Sequence, residues 1–171
     1  MCDTPTMRAN SGVPVEGVCS IDQMAGGDEE DSRLLREMAS GAEAFLRSFA
    51  WCKSIREAYF GDGYGGVAAV FLFHIEPARE GVDEWLWVVS CNISPAYLVT
   101  DSCKTPSGAL EGYIHEVSKW VELAKDGCTS ANVIPVYLQA TPENAASVER
   151  RLAVLKKVVV PAFREAEIER A

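Results

Sequence analysis

GDGYGGVAAVFLFHIE, residues 61–76, decides how this chain folds. Its first six residues satisfy a G-x-G-x-x-G pattern through Gly61, Gly63 and Gly66, and Asp83 follows at roughly the 20-residue offset of a ribose-binding acid. A phosphate-cradling loop needs a strand before the glycines and a helix after them, whose N-terminus faces the pyrophosphate. Here Val67–Glu76 is aromatic and β-branched and runs into Pro77, and no second βα unit follows. Residues 61–66 therefore read as a turn or bulge whose glycines take positive φ. The apolar run after them reads as a central strand covered on both faces. No Gly-Lys-Ser or Gly-Lys-Thr occurs, so a P-loop is excluded.

Working outward, residues 52–60 (CKSIREAYF) read as a strand before the turn, and residues 83–90 (DEWLWVVS) as one after it. Strand alternation places Trp85 and Trp87 on one face and Leu86 and Val88 on the other. Ser94 and Pro95 break the run, and residues 96–101 (AYLVTD) form the last strand. The short links require antiparallel pairing, because parallel neighbours need a crossover. Before the strands, Leu34, Leu35, Met38, Ala42, Phe45, Leu46 and Phe49 recur at helical spacing, in a helix capped by Asp31 or Ser32 and ending before Trp51. After them, two helices open with Thr105-Pro106 and Thr141-Pro142, a cap followed by a proline whose missing N–H costs nothing there. The first stops at Gly127 and the second at Pro161. Residues 132–138 (NVIPVYL), interrupted by Pro135, read as an extended edge segment. The expected fold is α+β: an antiparallel β-meander of about four strands with three helices packed on it. Residues 1–30 read as a disordered acidic tail and residues 31–171 as a single globular domain.

The charge is unevenly spread. The net charge is −9, but residues 1–31 hold seven acids and one base, leaving the remainder at −3. No basic face exists to displace counterions from phosphates, which argues against nucleic acid and against an anionic membrane. The six cysteines contain no CxxC pair, and neither HExxH nor GxSxG occurs, so no metal and no cofactor are expected. Residues 1–31 lack the apolar stretch of a secretory leader, and the longest apolar run, Gly65–Phe73, is too short to span a bilayer. Reduced thiols and a cytoplasmic location are the expectation.

His74 and His115 are the only histidines. A cysteine enzyme would set Cys91 or Cys103 beside one of them, oriented by a third group; a core-edge or surface histidine is the simpler reading. Asp83 and Glu84 are adjacent, so in a strand they point to opposite faces and make a poor paired-carboxylate site. Trp85 and Trp87 read first as core. Their alternative is a partner-binding surface, with Tyr59, Phe60 and Tyr64 nearby and Asp62, Tyr64, Asp83 and Glu84 at its rim.

Across residues 61–102, then ALEGYIHEVSKWVELAKDG (109–127) and NVIPV (132–136), the chain resembles a group of small bacterial proteins of unknown function. That resemblance covers roughly residues 45–160 and brings no activity or catalytic residue with it. Small, acidic α+β proteins lacking catalytic motifs also resemble, in style, immunity proteins of bacterial toxins. The expected function is a non-enzymatic protein-binding module, most concretely an immunity protein whose partner is a toxin domain. The alternatives are a small-molecule enzyme with a Cys/His pair, and a homo-oligomeric protein that pairs through the segment around Pro135.

Overall fold

The computed structural model describes residues 12–171. Five antiparallel strands lie in sequence order: β1 (Cys19–Ser20), β2 (Cys52–Tyr64), β3 (Ala68–Pro77), β4 (Trp85–Cys91) and β5 (Ala96–Val99). Helix α1 (Glu29–Arg47) covers one face of this sheet. The other face carries α2 (Pro106–Lys125) and a long third helix, built from α3 (Pro142–Val154), a π-helical turn (Leu155–Val159) and α4 (Val160–Arg170).

β3 explains the layering. Phe71, Phe73 and Ile75 pack toward α1 with Leu35 and Leu46, while Val70 and Leu72 pack toward α2 with Leu110 and Val117. A strand buried on both faces has no polar side, which is why its sequence is apolar without alternation. Each fully buried Leu or Phe contributes about 1.5–3 kcal/mol.

Both Thr-Pro caps form as expected. Thr105 Oγ1 accepts from Gly108 N at 3.1 Å and Thr141 Oγ1 from Asn144 N at 3.1 Å. Gly127 closes α2 with φ +69°.

Five details depart from the sequence reading. The helix α1 starts three residues early, because Asp28 is its cap and accepts from Asp31 N at 2.8 Å. Asp31 is thereby free to hold the hairpin tip, its Oδ1 accepting from Gly65 N at 2.5 Å.

Of the expected tail, residues 1–11 lie outside the described residues. From residue 12 the chain lies against the body: Val13, Val15 and Val18 pack on the core, Glu16 N donates to Lys104 O at 2.9 Å, and Cys19 and Ser20 pair with Phe60 and Tyr59 as a fifth strand. Two strand residues are too few to display a period.

The glycine cluster joins two antiparallel strands, but β2 runs through Gly61 and Gly63 to Tyr64, so the turn is confined to residues 65–67. These glycines serve close approach. A Cβ on Gly61 would lie 2.9 Å from Val70 O and 3.0 Å from the Pro106 ring, and one on Gly63 2.7 Å from Ala69 Cβ. Only Gly66, with φ +75°, needs the left-handed region.

Residues 132–138 do not join the sheet. Tyr137 N donates to Ser94 Oγ at 3.0 Å, and Val136 is buried, so the segment plugs the β4–β5 loop. Finally, the third helix passes through Pro161. The ring of a helical proline clashes with the carbonyl four residues back; here the widened turn over Leu155–Val159 lies just before it and absorbs the mismatch.

Candidate functional site

Strand register assembles a cluster at one end of the sheet. Glu57 of β2 pairs with His74 of β3, which pairs with Trp85 of β4, and all three side chains share the face that carries α2. A bulge makes this possible. Ile55 pairs with Ile75 but Glu57 pairs with His74, so β2 holds one extra residue and Glu57 crosses to the opposite face from Ile55. The bulge between Phe60 and Asp62 does the same for Asp62.

The imidazole of His74 stacks on the Trp85 indole, centroids 4.2 Å apart and planes within 2°. Tyr59 tilts against Trp85 at 6.1 Å. The ring of His74 lies between two half-exposed carboxylates: Nδ1 is 3.4 Å from Glu57 Oε2 and Nε2 is 3.8 Å from Glu84 Oε2. Tyr59 O–H donates to Glu57 at 3.1 Å. Farther along β3, Glu76 accepts from Lys53 Nζ at 2.9 Å and from Ser54 Oγ at 3.2 Å, both on β2. The Lys53 hydrogen bond and charge, helped by Ser54, hold the Glu76 carboxyl below its ordinary range. Glu80 and Asp83 stand exposed in the adjoining turn. The result is a rigid aromatic pair ringed by carboxylates beyond the helical cover, chemistry suited to cationic side chains and to an apolar anchor.

Only part of the six-residue surface expected from sequence is found together. Glu84 and Trp85 belong to this cluster and Asp83 borders it. Trp87 is wholly buried, its Nε1 donating to the Cys103 carbonyl at 2.9 Å, because the loop entering α2 lies over it. Asp62 and Tyr64 are at the opposite end of the sheet. Tyr64 pairs with Ala68 and Trp85 with His74, six residues apart along β3, or about 20 Å at the strand rise. Asp62 accepts from Gly63 N at 2.9 Å and faces Arg170 at 3.6 Å. Burial raises its carboxyl, against the lowering by Gly63 N–H and Arg170. Tyr64 lies 6.1 Å from Phe163 of α4, and burial together with the charges of Asp62, Asp31 and Glu165 raises its hydroxyl. Sequence reasoning missed Glu57 and His74 as members of the cluster. His74 breaks an otherwise apolar strand, which is a usable signal; Glu57 has none, since its face depends on the bulge.

The arrangement does not favour a cysteine nucleophile. Cys91 Sγ donates to Tyr113 O–H at 3.2 Å, and burial pushes this thiol up, opposite to what a reactive thiolate needs. Cys91 is six residues from Trp85 along β4, at the far end from His74. Cys103 is buried and its Sγ lies 3.8 Å from Ser102 Oγ. The five described cysteines are free thiols. Among the described residues no group of three or more His, Cys, Asp or Glu is placed to hold a metal ion, and no helix is long and apolar enough to cross a membrane.

A cleft of about 460 Å³ opens between residues 16–25, β2 and α4, lined in part by Cys19, Phe60, Glu167 and Arg170. Glu167 and Arg170 are engaged internally. Glu167 accepts from Ser107 N at 2.8 Å and Ser107 Oγ at 2.7 Å, and Arg170 Nη1 donates to Gly61 O at 3.5 Å. They fasten α4 to α2 and β2.

No protein-family model, no curated protein and no solved structure matches the chain.

Proposed function

We propose that this chain is a non-enzymatic protein-binding module that engages a basic partner through its acidic, aromatic sheet end, and that its biological form is an immunity protein neutralising a toxin domain. The observation that carries this reading is the stacked Trp85–His74 pair set between the half-exposed carboxylates of Glu57 and Glu84. Lys or Arg side chains of a partner would exchange water for these carboxylates, while the indole edge loses solvent at the centre of the contact. The acid excess at this end, within a chain of net charge −9, speeds encounter with a basic surface. Inhibition follows from occupying the partner's cleft, with no covalent step.

The test is co-expression with the toxin encoded beside it, comparing the wild-type chain with a Glu57→Lys/Glu84→Lys double variant. Wild type should restore growth and the double variant should not, while both give the same circular dichroism spectrum. Equal rescue by both, or rescue by neither, refutes the proposal.

A further inference from the structure

β5 is an edge strand. Its inner side pairs with β4, and no described strand lies on its outer side. Exposed edges invite pairing with another chain, and folded proteins blunt them with lysine, proline, bulges or a covering element. Between Ala96 and Val99 there is no charge, no proline and no register shift. The edge is instead surrounded by apolar surface. Tyr97 and Val99 are each 38% exposed on the α1 side. Trp51 lies 5.0 Å and Phe49 5.3 Å from Tyr97, ring to ring, and the two stack on each other at 4.8 Å. On the other flank Tyr137 is 64% and Leu138 39% exposed, held beside the entry to β5 by the bond from Tyr137 N to Ser94 Oγ.

We infer that this edge pairs with a second copy of the chain, β5 against β5, making a continuous ten-stranded sheet. Charge is the first argument. The strand itself carries no charge, the nearest charges after it in sequence are one of each sign, Asp101 and Lys104, and on the helices Glu43 is paired with Arg47 and Glu116 with Lys119, each at 2.8 Å. The acid excess is elsewhere, at the start of α1 and around Glu57, Asp83 and Glu84, so two acidic molecules can approach here without like charges meeting. Symmetry is the second. Antiparallel pairing of a strand with itself follows a two-fold axis perpendicular to the sheet, which keeps each face on its own side. Tyr97 and Val99 of one copy then meet those of the other beside both aromatic clusters, and Leu98 meets Leu98 on the α2 side. Each apolar row finds an apolar row, and strand hydrogen bonds close the seam.

Sedimentation velocity of the full chain across the micromolar range tests this. A mass that rises from one chain to two with concentration is expected. Val99→Lys, at an exposed position, sets a cation opposite Tyr97 of the other copy and puts two like charges into one seam, and should leave a single-chain mass throughout. Ile168→Lys, at an exposed apolar residue of α4 away from this edge, should dimerise as wild type does. A wild-type chain that stays monomeric overturns the inference, as it would if the edge instead takes an extended segment of another protein. A Val99→Lys chain that still doubles in mass overturns it too, by placing the contact elsewhere.

Discussion

The sheet presents two unlike surfaces. At the end of β2, β3 and β4 the exposed groups are carboxylates around one aromatic pair, and Glu76 among them is paired with Lys53. Along β5 the exposed groups are rings, aliphatic side chains and an outer edge with no described strand on it, and the strand carries no charge. The first surface selects by charge and accelerates encounter; the second selects by shape and by strand geometry. Two surfaces built on different physics can be occupied at once, and an acidic protein can in this way repel copies of itself in one direction and accept one in another.

The sharpest test of this division uses the two tryptophans. Trp87→Ala removes a fully buried indole and strands the Cys103 carbonyl, and should lower unfolding free energy by about 3–5 kcal/mol in a denaturant titration. Trp85→Ala should cost less stability but weaken partner binding by about 2–4 kcal/mol, a Kd increase of roughly 30- to 1000-fold by calorimetry. Equal stability losses would erase the distinction between core and surface that separates them. Salt should separate the two surfaces next. Screening shortens to about 3 Å at 1 M, so partner association at the acidic end should slow severalfold between low and high salt. The β5 contact, apolar and charge-neutral, should hold or tighten in sulfate. Parallel responses in both assays would mean that one force drives both.

The smallest effect is a pH dependence with opposite signs at the two ends of the β2–β3 ladder. Glu76 is held below its ordinary 4.5, so its contribution to stability is present above that value and is lost as pH falls through its folded pKa. Asp62 is raised above its ordinary 3.8 by burial. Between 3.8 and its raised value the folded chain binds more protons than the unfolded one, so this group's contribution falls as pH rises. Asp62→Asn should remove that slope and Glu76→Gln the opposite one, read as midpoint against pH in chemical unfolding. An unchanged slope in Asp62→Asn would show that its burial has no energetic consequence.

Much of the fold was legible because it rests on local rules. An apolar run bounded by glycines and a proline reads as a covered strand, and a threonine before a proline, followed by apolar residues at helical spacing, reads as a helix start. The sequence by itself therefore determined the α+β class, the antiparallel sense of β2 to β5 and two helix starts, and left the strand order open. Registration across strands was beyond it. One extra residue at each of two bulges in β2 turns Glu57 toward His74 and Asp62 toward Arg170, and the alternation rule cannot see a bulge. The third helix continues past Pro161 because a widened turn comes just before it, and residues 12–23 lie on the core because hydrophobic groups from distant segments wait there. Which tryptophan is wholly buried was likewise decided by a loop some sixteen residues away in sequence, since the Cys103 carbonyl meets Trp87 Nε1 while Trp85 stays only partly buried. Local periodicity follows from the backbone of a single segment; a face becomes a surface or a core only through what another segment places against it.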